Sequence, residues 1–254
     1  MAGSQVSSAC NLYGSEDEYM KKYVIFFLVW CGVWWAYEQA ADNFHMRHCY
    51  PTHWPEVKVS AVSANKLELA RDILSQPFSY LGKGRQFYAF LSQDQKYVLK
   101  LIKCQRFNTL PWTSTLQPER FCYKKQQFEK LFSSCHIAAN ELADITAILF
   151  VHLVPFAETK VKVTLIDKLG LFHKLDIDKV PFLLQTYVAK SSTLHTNEQQ
   201  LISTLAYETA KRGFIDTDSG GLERGNIGFL EGKAVYIDVG TFCPLSSYNP
   251  HETL

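Results

Sequence analysis

Excess charge of either sign is missing from this chain. Its 254 residues carry 26 lysines and arginines against 25 aspartates and glutamates. No long-range field gathers a polyphosphate backbone, so nucleic acid is set aside as a partner. Internal repeats and low-complexity tracts are also missing, and 47% hydrophobic with 20% charged residues excludes the disordered and fibrous classes. The seven cysteines form no C-x-x-C pair, which excludes the usual zinc spacings. Cys10 and Cys31 lie early in the chain; Cys49, Cys104, Cys122, Cys135 and Cys243 remain, an odd number that argues against a disulfide framework. His45, His48 and His53 with Cys49 lack a second ligand pair and read as polar linker residues. Mean hydropathy of −0.11 excludes a polytopic membrane protein.

One cluster escapes that average. Lys21 and Lys22 precede fifteen uncharged residues, Tyr23 to Tyr37, which end at Glu38. As a helix the run reaches only about 22 Å, short of the ~30 Å hydrocarbon core. A basic flank followed by an apolar stretch of this length predicts a signal peptide with Met20 as its start, or an uncleaved signal anchor. Glu38 occupies the minus-three position before Ala40 and disfavours cleavage there, while Trp34, Trp35 and Tyr37 suit an interfacial aromatic belt. The expectation is an N-terminal segment over 1–42 with a hydrophobic helix at 23–37, membrane-anchored or exported. The lysine pair favours N-in, C-out orientation.

A linker and edge helix are expected over 43–76, with Leu67, Leu69, Ala70, Ile73 and Leu74 forming an apolar side. Three antiparallel strands follow: Phe78 to Leu81, Gln86 to Leu91 and Lys96 to Lys103, the last two joined by a turn at Gln93-Asp94-Gln95. A loop spans Asn108 to Pro118. Spacings of three and four then predict one long helix from Glu119 to Val151. Strands are expected at Lys160–Asp167 and Val180–Val188, and a helix at Asn197–Arg212, ended by Gly213. A last hairpin turns at Glu231-Gly232.

Several residues with chemistry fall at telling places in that order. Leu81 to Phe90 contains Gly82 and Gly84, which would let backbone N–H groups approach phosphates. Tyr97 to Lys103 puts Lys100 between Val98 and Ile102 on one strand face, where an ammonium is costly without a partner. Glu141 lies beside the apolar stripe of the long helix, with Glu129 as its rival. Asp216 and Asp218 precede a glycine-rich turn, and the hairpin that follows folds Asn226 back beside Asp238.

The chain resembles the protein-kinase-like phosphotransferases in the order of these elements and in LGKGRQFYAF, YVLKLIK and NIGFLEGKAVYIDVG. The resemblance, spanning about Phe78 to Phe242, implies an α+β fold with an antiparallel N-lobe sheet, a long helix and a reduced C-terminal lobe within a domain at 77–254. It also implies ATP and Mg2+ as cofactors. Gly82 and Gly84 would stand in the glycine-rich loop, Lys100 would hold phosphates and Glu141 would pair with it. Asn226 and Asp238 would bind metal. Counting from Gly213 puts the base at Asp218, with Asp216 second; counting from Asn226 gives Gly221, and a three-residue insertion reconciles the two. Arg224 would neutralise transferred phosphate charge. Phe87 stands where the third glycine belongs and Val239 where phenylalanine does.

Fourteen residues follow Gly240, leaving no room among them for a peptide-holding helical lobe. The acceptor implied is an unknown protein or small molecule, held atypically. A catalytically inactive pseudokinase scaffold and an exported envelope protein sharing only the topology are the rival expectations.

Overall fold

The computed structural model describes residues 10–55, 63–109, 113–155, 159–188, 196–218 and 226–248. The chain divides into two compact units, Met1–Phe44 and His45–Leu254. The first is built on α1, Cys10–Ala40. From Tyr19 to Trp35 its large apolar side chains are exposed around the whole helix. Among the described residues, no helix is long and apolar enough to cross a membrane.

The second unit opens with a 3-10 turn, Met46–Cys49. It is no loose linker. Cys49 is fully buried, and burial pushes its thiol up to about 12. The Trp54 ring meets Phe132 edge-on at 6.3 Å and His152 at 5.8 Å. Asn108 accepts from Thr52 N–H at 3.0 Å and donates to the Tyr50 carbonyl at 3.0 Å. The large indole, partly buried against the core, outweighs the polar composition around it.

α2 covers Ala64–Leu74, with the Ser63 hydroxyl capping Lys66 N–H, and buries Ala70, Ile73 and Leu74. β1 (Phe78–Lys83), β2 (Phe87–Ser92) and β3 (Tyr97–Ile102) follow as an antiparallel meander. Apolar β-branched and aromatic residues drive these strands, and Gln95 turns the chain at φ 59°. A short α3, Thr113–Leu116, interrupts the expected loop.

α4 runs from Pro118, in its first turn where a missing N–H costs nothing, to Asn140. The predicted helix to Val151 stops there. Leu142 buries itself, a one-turn α5 covers Ala143–Thr146, and Ala147 reverses the chain at φ 53°. The Thr146 hydroxyl ties the reversal to the Ala138 and Leu142 carbonyls at 3.0 and 2.9 Å. The apolar run that follows, Ile148–His152, is strand β4. A short run buried on both faces satisfies helix and strand spacing alike, and the left-handed residue before it decides.

β5 (Lys162–Ile166), β6 (Phe172–Asp176) and β7 (Phe182–Thr186) complete a seven-stranded sheet in the order β4-β7-β3-β2-β1-β5-β6. All neighbours are antiparallel except β1 and β5. Phe128, Leu131, Phe132, Cys135 and Ala138 of α4 pack into a core with Ile102 and Leu183.

α6 covers Thr196–Lys211, and Gly213, at φ 86°, ends it. β8 (Phe214–Asp216) pairs with β11 (Phe242–Pro244). Between them β9 (Ile227–Leu230) and β10 (Lys233–Tyr236) form a hairpin. Its turn, Glu231-Gly232, has both φ angles positive, at 51° and 77°, as a tight two-residue hairpin requires.

Candidate functional site

The hairpin pairing fixes the site's frame. Because β9 and β10 are joined by two residues and β8 lies on β11, the chain before β9 and the chain after β10 meet. Asn226 enters β9 and Ile237 leaves β10, and the Asn226 carbonyl accepts from both Ile237 N–H at 2.6 Å and Asp238 N–H at 3.3 Å. Its side-chain amide donates to Asp218 Oδ2 at 3.1 Å. The Asp218 N–H in turn reaches Asp216 Oδ1 at 3.1 Å, which also accepts the Thr241 hydroxyl at 2.5 Å. Thr217 donates N–H and hydroxyl to the Thr241 carbonyl at 3.1 and 3.0 Å.

Lys100 meets this ring from the sheet. It sits in the middle of β3, opposite Ala89 of β2 and Leu183 of β7, and is only 7% exposed. Its ammonium donates to the Ile237 carbonyl, one residue before Asp238, and lies 5.9 Å from the Phe87 ring centre. The sheet thus delivers a buried cation to the loop that carries Asp238.

α4 grips the same loop from behind. Ser134, 1% exposed, donates its hydroxyl to the Val239 carbonyl at 2.6 Å and accepts from Phe242 N–H at 2.7 Å. Sequence reasoning passed over Ser134, although a small polar residue on a buried stripe is a signal, since such a hydroxyl must find a partner. Glu141 lies elsewhere. It is the exposed C-cap of α4, and its carbonyl accepts from Arg212 at 3.1 Å. Cys135 of α4, six residues earlier and about 9 Å back along the axis, has a thiol pushed up by burial and by the Asp238 charge and drawn down by that of Lys100. Glu129 is joined to Lys125 at 3.8 Å on the helix surface.

The glycine loop folds on itself. Gly82 sits at an irregularity of the β1–β2 pairing, and Gly84 N–H donates to the Phe87 carbonyl at 2.9 Å. Lys103 caps the Gly84 carbonyl at 2.7 Å and Arg106 caps that of Arg85. A side chain at Gly82 or Gly84 would meet open space. Gln86 reaches across to the Gly240 carbonyl at 3.4 Å. Arg224 lies outside the described residues.

Among the described residues the site is acidic around the Lys100 ammonium. Burial raises the carboxyl of Asp216 above the ordinary aspartate range; the Thr241 hydroxyl and Asp218 N–H pull it back, and the charges of Asp218 and Asp238 push it further up. Among the described residues no group of three His, Cys, Asp or Glu could hold a metal by itself. One carboxylate and one amide oxygen, from Asp238 and Asn226, are nevertheless the partial set that suits Mg2+, which keeps several waters. Compared with known protein families and characterised proteins, the sequence matches none.

Proposed function

We propose that the second unit is a kinase-like module that binds MgATP and that α1 holds it at a membrane. The observation that carries the nucleotide reading is the Lys100 ammonium on the Ile237 carbonyl, which brings the β3 cation beside Asp238 and Asn226. The order β1-β2-β3-β7-β4, with α4 between β3 and β4, and the β8–β11 and β9–β10 pairings support it, as an arrangement of the kinase kind. The fold does not by itself fix an activity.

In this reading Asp238 and the Asn226 side chain hold Mg2+, and Lys100 offers positive charge to phosphate oxygens. Bound MgATP would supply the phosphoryl group and neutralise its charge. Asp218, bound to the Asn226 amide, orients an acceptor hydroxyl and takes its proton; Asp216 holds Thr241 and thereby the Asp238 loop. Arg224, outside the described residues, would neutralise transferred phosphate charge. The acceptor is a non-peptide or atypically held one.

A second reading, an inactive scaffold of the same fold, is favoured by the exposed position of Glu141 and by the Gln86 contact over Gly240. For α1, apolarity on every side, the Lys21–Lys22 pair and the Trp34, Trp35 and Tyr37 cluster support an interfacial or anchored helix.

Thermal unfolding tests the nucleotide reading. At a hundredfold excess over Kd, MgATP adds about 2.7 kcal/mol, which raises Tm by roughly 5–10 °C for a domain of this size. Lys100→Met and Asp238→Asn should each abolish the rise. No shift at millimolar MgATP would sink the proposal. A shift without phosphate release, unchanged by Asp218→Ala, would favour the scaffold.

A further inference from the structure

We infer that the tip of the β5–β6 hairpin is a second membrane contact, an apolar knuckle flanked by lysines that docks on an anionic bilayer. This rests on the reading that α1 resides in a membrane. Leu169, Leu171 and Phe172 are 41%, 51% and 73% exposed, and they cluster within four residues at the edge of the seven-stranded sheet. A contiguous apolar tip of this kind on a folded surface marks an interaction site.

The tip is also built to stay in place. Asp167, 7% exposed, accepts from Leu169 N–H and Leu171 N–H, each at 2.9 Å, and from His173 Nε2 at 2.7 Å. Gly170 closes the turn at φ 81°, and its N–H donates to the Asp167 carbonyl at 3.0 Å. One carboxylate thus organises the whole loop beneath three outward apolar side chains. A rigid tip pays little ordering entropy on docking.

Charge selects the occupant. Lys168 in the turn and Lys174 on β6 are exposed near the tip, while Asp167 faces inward and Asp176, at the far end of the hairpin, is joined to Lys179 at 3.2 Å. Apolar side chains that enter the acyl boundary, flanked by two lysines that meet anionic headgroups, match a bilayer surface. A second copy fits worse: edge-to-edge pairing of β6 would bring lysines of the same sign together, the usual guard on an open strand edge. The boundary between the units follows closely on the apolar run, so a bilayer holding that run keeps this domain within reach of the same surface.

The test is hydrogen exchange on the full chain with phosphatidylcholine vesicles, with and without about a quarter phosphatidylserine. Amides of residues 168–173 should slow about tenfold with the anionic vesicles only. Leu171→Glu with Phe172→Glu, both at exposed positions, should remove that slowing while the chain still cosediments with vesicles through α1. Vesicle binding with an unprotected hairpin would overturn this inference and leave the α1 reading standing. Failure to bind any vesicle would overturn both. Protection that grows with protein concentration in the absence of lipid would mean that the tip joins copies of the chain, and would overturn it too.

Discussion

At Gly240 the absence of one carbon leaves room for the end of the Gln86 side chain. A Cβ built there would lie 1.5 Å from Gln86 Oε1 and 2.6 Å from its Cδ. The obstacle is the end of a flexible side chain, which can swing away, unlike backbone. Gly240→Ala should therefore cost less than about 1 kcal/mol, chiefly the lost Gln86 contact. In a Gln86→Ala background the same substitution should be close to neutral, a coupling of about 0.5–1 kcal/mol in a double-mutant cycle read by urea unfolding. Equal costs in both backgrounds would show that Gln86 does not occupy this space in solution. Gly82 and Gly84 differ from Gly240 in this respect, since a side chain at either would meet nothing.

Among the elements, α4 ties down the Asp238 loop through the Ser134 hydroxyl as well as through the core it shares with Val239 and Phe242. Ser134→Ala leaves Phe242 N–H and the Val239 carbonyl without their partner in a buried place. The expected loss is about 1–3 kcal/mol. Ser133→Ala, one residue away on the exposed side of the helix, should stay within about 0.5 kcal/mol, and a similar Tm loss in both variants would refute the role. The contrast shows what was legible beforehand. Strands β1 to β3, α6 and the β9–β10 hairpin announce themselves locally, by apolar runs, by Gly213 and by the Glu231-Gly232 turn. That hairpin brings Asn226 beside Asp238, whereas Asp216 and Asp218 join them through the β8–β11 pairing. The polar β6, FHKLD, and the three-residue β8 and β11 carry too little pattern to be seen. Which α4 residue faces Lys100 depends on the end of a helix and on tertiary register, and no spacing rule places Ser134 behind Val239, more than a hundred residues away.

For the whole molecule, acid pulls in two directions. Burial would raise the Asp167 carboxyl, but His173 and the Leu171 and Leu169 N–H groups hold it below its usual range. The Arg212 guanidinium, at 2.6 and 2.8 Å, does the same for Asp144, and Ser92 for Asp94. Carboxyls lowered by folding contribute stability that is present above their unfolded pKa and lost as pH falls through the folded value. Asp216 has the opposite sign. Its folded value is raised, so its contribution is complete below the unfolded aspartate pKa of about 4 and is lost as pH rises through the folded value. Wild type should accordingly lose stability on acidification, but less steeply than an otherwise identical chain without the Asp216 carboxyl. Asp216→Asn keeps an oxygen for the Thr241 hydroxyl and removes the titration. Relative to wild type, its Tm should be lowest near pH 3 and should rise towards neutrality, levelling off above the folded Asp216 value. Melting curves from pH 3 to 8 in a fixed ionic strength read this difference directly. Parallel curves would mean that Asp216 titrates as it does in the unfolded chain, and that burial between β8 and β11 does not reach its carboxyl.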